Sequence, residues 1–160
     1  MRKIEISTSA TIFDSLAELS KDDQLLMQKA IEAKNTSYAP YSQFHVGAAV
    51  LLENDVIVLG SNQENAAYPS GMCAERVAVW KASSQYPNTS ILKIAISASS
   101  KHTKVDKPVG PCGACRQTLL EYEVKQQQPF ALLFMGETGA VVKTNSLVDL
   151  LPFSFDKSFL

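Results

Sequence analysis

The chain has 160 residues, enough for one domain with a sizeable core, and its 46% hydrophobic and 19% charged residues are those of a folded globular protein. A formal net charge of -1 and the lack of any Lys/Arg run exclude the usual footprint of a nucleic-acid backbone binder, but not a small nucleotide ligand. The apolar run from Phe130 to Gly136 is far too short to span a bilayer, and the first residues lack the apolar stretch of a signal peptide.

In chain order, Lys3 to Ser7 alternates apolar and polar side chains and reads as a short edge strand. Ser20-Lys-Asp-Asp23 resembles a capping box and opens a helix through Leu25, Leu26, Ala30 and Ile31 to about Lys34. Tyr38 to Ser42 is a turn. Val46–Leu52 and Val56–Leu59 read as strands joined in a hairpin across Glu53-Asn-Asp55. Ser61 to Gly71 is loop, and a helix follows from about Met72 to Ser84. The apolar run Leu92–Ser97 predicts a buried central strand, and Ser99–Val109 a polar excursion. Pro111 opens another helix, through Leu119, Leu120 and Tyr122. Phe130–Phe134 and Ala140–Lys143 are two more strands that turn at Gly136–Gly139, and Ser146 caps a short helix that Pro152 stops. No repeat or long linker interrupts this order, so residues 1–160 read as one domain. The expected fold is α/β, a three-layer α/β/α sandwich around a mixed five-stranded sheet.

Two segments carry chemistry: Met72-Cys-Ala-Glu-Arg76 and Pro111-Cys-Gly-Ala-Cys-Arg116. Cys112 and Cys115 are three apart, so at a helix start they share one face and make a chelating pair. A CxxC pair by itself also serves redox sites. Cys73 at another helix start, with Glu75 two residues on, narrows the reading to a metal. The free N–H groups and positive dipole end of a helix favour thiolates, and three protein ligands leave zinc's fourth tetrahedral position open, as in catalytic sites. Three thiolates on Zn²⁺ leave a net negative charge, which Arg76 and Arg116 are placed to offset. Against this stand two plainer readings: three inert buried thiols, and a structural zinc site. The second wants a fourth ligand, and only His45 and His102 are available. His102 sits in a lysine-flanked loop and reads as solvated; His45 begins a strand and reads as structural. Three cysteines without a secretion signal fit a reducing, cytoplasmic setting rather than a disulfide framework.

These segments resemble the cytidine deaminase family, of the homotetrameric Cys₃-zinc type. So do Tyr38–Ala49, Gly60–Pro69 and Leu150–Phe155, all in the family's order, so that the likeness runs from about Leu25 to Phe155. The resemblance implies one Zn²⁺ per subunit on Cys73, Cys112 and Cys115, and attack on C4 of cytosine by zinc-activated hydroxide with Glu75 shuttling the protons. It implies that the Ala74 backbone holds the pyrimidine edge, that Asn62 and Glu64 grip the ribose hydroxyls, and that Phe44 walls the base. Read on their own, Asn62 and Glu64 are loop-solvating residues and Phe44 is core. The resemblance further implies a homotetramer in which Ala66, Tyr68 and Phe155 reach a neighbouring subunit's pocket. Two features depart from it: residues 1–20 lie outside the strongest likeness, and Gln63 stands where the family is commonly aliphatic.

The expected function is therefore hydrolysis of cytidine and deoxycytidine to uridine and deoxyuridine plus ammonia in pyrimidine salvage, with a nucleoside as ligand and neither nucleic acid nor membrane as partner. One alternative is a deaminase for a cytosine-nucleoside antibiotic such as blasticidin S. Another is a non-catalytic zinc-binding module.

Overall fold

The computed structural model describes all 160 residues. Ser20 caps the first helix as expected: its side chain accepts from the Asp23 amide, and α1 runs Lys21–Ala33. Next come β2 (Phe44–Leu52), β3 (Ile57–Ser61), α2 (Ala74–Gln85), β4 (Ile91–Ser100), α3 (Gly113–Gln126), β5 (Ala131–Met135) and β6 (Val141–Thr144). The helix expected after Ser146 is one 3-10 turn, Leu147–Leu150.

Two corrections concern the sheet. It has six strands, not five, in the order β1-β6-β5-β4-β2-β3. Its edge strand, β1, is Thr11–Phe13 rather than Lys3–Ser7. Thr11–Phe13 pairs antiparallel with Lys143–Val141, and Phe13 reaches the core beside Leu19 and Val141. Lys3–Ser7 alternates correctly but has no face to bury, and Ile4 is 67% exposed. Alternation alone does not make a strand when no neighbouring edge is free to take it.

The pleat divides the core in two. On β2, β4 and β5 the side chains of Ala48, Val50, Ile94, Ile96 and Leu132 point to one face, where Ala78 and Val79 of α2 and Leu119 of α3 cover them. Ala49, Ala95 and Leu133 point to the other face, covered by Leu26, Met27 and Ala30 of α1. That is the expected three-layer sandwich, with β4 central between β2 and parallel β5.

Topology then places the chemistry. β3 and β4 both run antiparallel to β2, so they point the same way. The helices that follow them, α2 and α3, therefore begin at the same end of the sheet, where α/β folds place their ligands. Backbone approach sets the distance of α2 from β3. A Cβ on Gly60 would stand 2.4 Å from the Ala78 nitrogen and 2.6 Å from the Ala74 oxygen, so only glycine lets the helix lie this close. No helix is long and apolar enough to cross a membrane.

Candidate active site

Cys73 and Cys112 occupy equivalent places, each the N-cap residue of its helix in extended conformation. Neither caps through a side-chain hydrogen bond, so each thiol is free to turn toward the other helix. Cys115, one turn into α3, is fully buried beneath them. The three Sγ atoms lie within 4.8 Å of one another, and Cys73 and Cys112 are 3.9 Å apart. That separation is far beyond a disulfide bond. It agrees with the ~3.8 Å between sulfurs that share a tetrahedral zinc at the usual 2.3 Å bond length. The donor set thus fits zinc, with Cys73 and Cys112 exposing the open side to a cavity.

The Cys73 and Cys115 thiols titrate as a linked pair. A hydrogen bond from Cys115 outweighs the cost of burial and, with the Arg76 guanidinium, pulls the Cys73 thiol down to about 5. The same hydrogen bond, then burial and the charge of Glu75, push Cys115 upward and keep its proton. Metal binding takes its cysteine ligands as thiolates, so a divalent cation would favour the anionic form that the Cys73–Cys115 contact resists. Arg76 Nη2 lies 3.5 Å from Cys73 Sγ. Its guanidinium also sits 5.9 Å from the centroid of the Trp80 ring. Arg116 was expected to share in offsetting thiolate charge, and the structure corrects this. Its Nε donates to the Pro111 carbonyl and its Nη1 to the Leu150 carbonyl, both at 2.9 Å, and neither bond reaches a sulfur.

Glu75, in the first turn of α2, is only 5% exposed. Burial pushes its carboxyl above the ordinary range; its own backbone amide pulls it back, and the Cys73 charge adds to the rise. A carboxyl raised in this way holds a proton more readily than an exposed one, which suits a group that must first accept a proton and then return it.

Above these groups lies a cavity of about 690 Å³, within the size range of small-molecule sites. Cys73, Ala74, Glu75, Arg76 and Cys112 form its floor, and Phe44 and Ile96 wall it. Asn62 and Glu64 also line it. Glu64 accepts from the amides of Tyr41 at 2.9 Å and Ser42 at 3.2 Å; with the Ser42 hydroxyl these hold its carboxyl below the usual range. Asn62 accepts from the Val46 amide at 2.8 Å and donates to the Phe44 carbonyl at 2.9 Å, which leaves one N–H and one lone pair free. Tyr68 stands at the rim, 77% exposed, its ring 6.4 Å from that of Tyr41. Ala66 and Phe155 do not line this cavity; both are exposed, and Phe155 stacks on Phe159 at 5.6 Å.

Sequence reasoning passed over several lining residues. Tyr41 and Ser42 read only as a turn, and Val109 and Gly110 only as the end of a polar excursion, yet all four border the cavity. The available signal was position: Val109-Gly110 immediately precedes Pro111-Cys112, and a segment entering a ligand-bearing cap has to pass the site.

Residues 20–129 match the family model for the cytidine and deoxycytidylate deaminase zinc-binding region. A cytidine deaminase of Halalkalibacterium halodurans is 37% identical over 134 residues, which span 84% of this chain and 94% of that protein. One from Sporosarcina psychrophila is 35% identical over 139 residues, 87% of this chain and 95% of that one. Among solved structures, the cytidine deaminase of Burkholderia pseudomallei superposes with a TM-score of 0.72 at 32% identity, covering 86% of this chain and all of the other. That of Mycobacterium tuberculosis gives 0.64 at 33% identity, covering 86% and 99%. With its three sulfurs, its buried carboxylate and these relatives, the chain belongs to the cytidine deaminase family and is a zinc-dependent hydrolytic enzyme.

Proposed function

We propose that the chain hydrolyses the exocyclic amine of cytidine and deoxycytidine, releasing uridine or deoxyuridine and ammonia. One observation carries the reading: a buried carboxyl stands beside three clustered thiols on the floor of a nucleoside-sized cavity. Cys73, Cys112 and Cys115 would hold zinc, which when bound would supply the Lewis acidity that makes a water nucleophilic. Glu75 accepts one proton from the attacking water and passes it to N3 of the pyrimidine, then takes the second from the new C4 hydroxyl and gives it to the C4 amine, which leaves as ammonia. The C4–N bond breaks, a C4–O bond forms, and no redox partner is required. Arg76 holds charge at the Cys73 sulfur. The Ala74 backbone meets the pyrimidine edge, Phe44 walls the base, and the free sites on Asn62 and Glu64 take the ribose hydroxyls.

The remaining readings extend this one. One domain carries the activity, with residues 1–20 as an extension whose Thr11–Phe13 strand lines the sheet edge. Exposed Tyr68, Phe153 and Phe155 support a homotetramer in which Ala66, Tyr68 and Phe155 meet a neighbour's pocket. Three free thiols support the reducing cytoplasm as its setting. A non-catalytic zinc module has no use for a buried proton carrier opening on a cavity, and nothing in the site favours an antibiotic over a nucleoside.

The test is the ultraviolet spectrum of cytidine incubated with zinc-loaded protein. Conversion to uridine is expected, and Glu75→Gln should lose at least about 10²- to 10⁴-fold in kcat while keeping its zinc. Folded, zinc-loaded protein that leaves cytidine unchanged would refute the proposal.

A further inference from the structure

The two side chains that follow Cys115 both reach the C-terminal segment. Arg116 Nη1 donates to the Leu150 carbonyl at 2.9 Å, and Gln117 Nε2 to the Phe155 carbonyl at 2.9 Å. Arg116 Nε meanwhile holds the Pro111 carbonyl, one residue before Cys112. One guanidinium thus spans the entry to the cysteine-bearing turn of α3 and the last carbonyl of the 3-10 turn Leu147–Leu150. The segment needs such anchors. Beyond Leu151 most side chains are exposed, Phe153 has a positive φ of 55°, and regular structure is limited to a single 3-10 turn, Lys157–Phe159. Within one chain, apolar burial contributes little to holding it in place.

We propose that Arg116 and Gln117 are positioning residues that couple the course of the segment 151–160 to the start of α3, so that the segment keeps its path only while the Cys112–Cys115 turn keeps its shape. This rests on the reading of the three cysteines as zinc ligands. A guanidinium suits the task because its planar fork serves two carbonyls at once from a fixed geometry, which a lysine ammonium does less well. The segment therefore depends on both ends of this link. Zinc stiffens the turn and steadies the segment, while loss of the Arg116 fork frees the segment and leaves the sulfurs, which it does not touch, able to hold metal.

The experiment is hydrogen exchange of residues 151–160, with zinc content measured on the same samples of full-length protein. In zinc-loaded wild type the hydrogen-bonded amides of this segment, Leu151, Ser158, Phe159 and Leu160, should exchange at least about tenfold more slowly than after chelation. Arg116→Met should show that faster exchange with one zinc still bound, Arg116→Lys a partial return toward wild type, and Gln117→Ala an effect confined to residues near Phe155. Arg76→Met should do the opposite, binding zinc more weakly while its zinc-saturated form keeps the segment protected. If Arg116→Met sheds zinc as Arg76→Met does while the segment stays protected, or if the segment is indifferent to both Arg116 and zinc, the proposal is overturned. Wild-type protein that binds no zinc would instead refute the metal reading on which it rests. Should Arg116→Met fail to fold, Arg116→Lys and Gln117→Ala decide the question.

Discussion

Gly60→Ala is a one-carbon change remote from substrate that should disable the site. The new Cβ would stand 2.4 Å from the Ala78 nitrogen, about 1 Å short of the 3.4 Å at which ordinary contact begins, and 2.6 Å from the Ala74 oxygen. Both obstacles are backbone of α2, so no rotamer relieves them and the helix must move by roughly the missing 1 Å. Overpacking of this kind costs about 1–3 kcal/mol of stability. The functional loss should be larger in proportion, because α2 begins at Cys73 and carries Glu75 and Arg76 in its first turn. Metal sites tolerate about 0.2 Å in ligand distance, and a 1 Å misplacement of reacting groups costs about 10²-fold in rate. We therefore expect kcat/KM for cytidine to fall about 10²-fold or more and bound zinc to drop below one per subunit, with the fold retained. Gly113→Ala is the control. It lies between the two α3 cysteines, but its added Cβ meets no heavy atom within 4 Å, so stability should hold or rise by about 0.4–1 kcal/mol. Spectrophotometric turnover, zinc analysis and urea unfolding on both variants decide the matter. Gly60→Ala with unchanged kcat/KM, zinc and unfolding midpoint would refute the claim that close β3–α2 packing sets the site.

Arg76→Met removes the cation beside Cys73 and should weaken zinc binding about 10- to 100-fold in a chelator competition. Asp23, buried between Lys93 at 2.6 Å and Lys143 at 2.7 Å, ties α1 to β4 and β6. Burial alone would raise its carboxyl, but hydrogen bonds and charge from the two lysines outweigh this and lower it. Its folded pKa lies below the unfolded value of about 3.9, so its contribution is complete above that value and is lost as pH falls through the folded one. Urea midpoints of wild type should therefore drop below about pH 4, and Asp23→Asn should lose roughly 2–3 kcal/mol at pH 7 together with part of that acid sensitivity. Glu123 is buried and accepts from the Phe130 amide at 3.0 Å, the Leu147 amide at 2.9 Å and the Ser146 hydroxyl at 2.8 Å. Glu123→Ala leaves two buried N–H groups unpaired and should cost about 3–5 kcal/mol in urea unfolding, whereas Glu123→Gln keeps an acceptor and should cost less.

Local chemistry was legible where it repeats or where residue types are forced. The Ser20 cap, the apolar runs of β2, β4 and β5, and the cysteine spacing each follow from neighbours within a few residues, so the sequence determined the helices, the central strand and the metal-binding residue types by itself. The edge strand was decided elsewhere: Lys3–Ser7 and Thr11–Phe13 both suit a strand, and only the free edge of β6, 130 residues away in the chain, selects the second. The same holds for the arginines. Arg76 and Arg116 stand alike beside their cysteines in the sequence, yet one guanidinium lies 3.5 Å from a sulfur while the other is taken by the carbonyls of Pro111 and Leu150. A long side chain goes where unpaired acceptors are, and which acceptors lie within reach is settled only when segments distant in sequence are packed together.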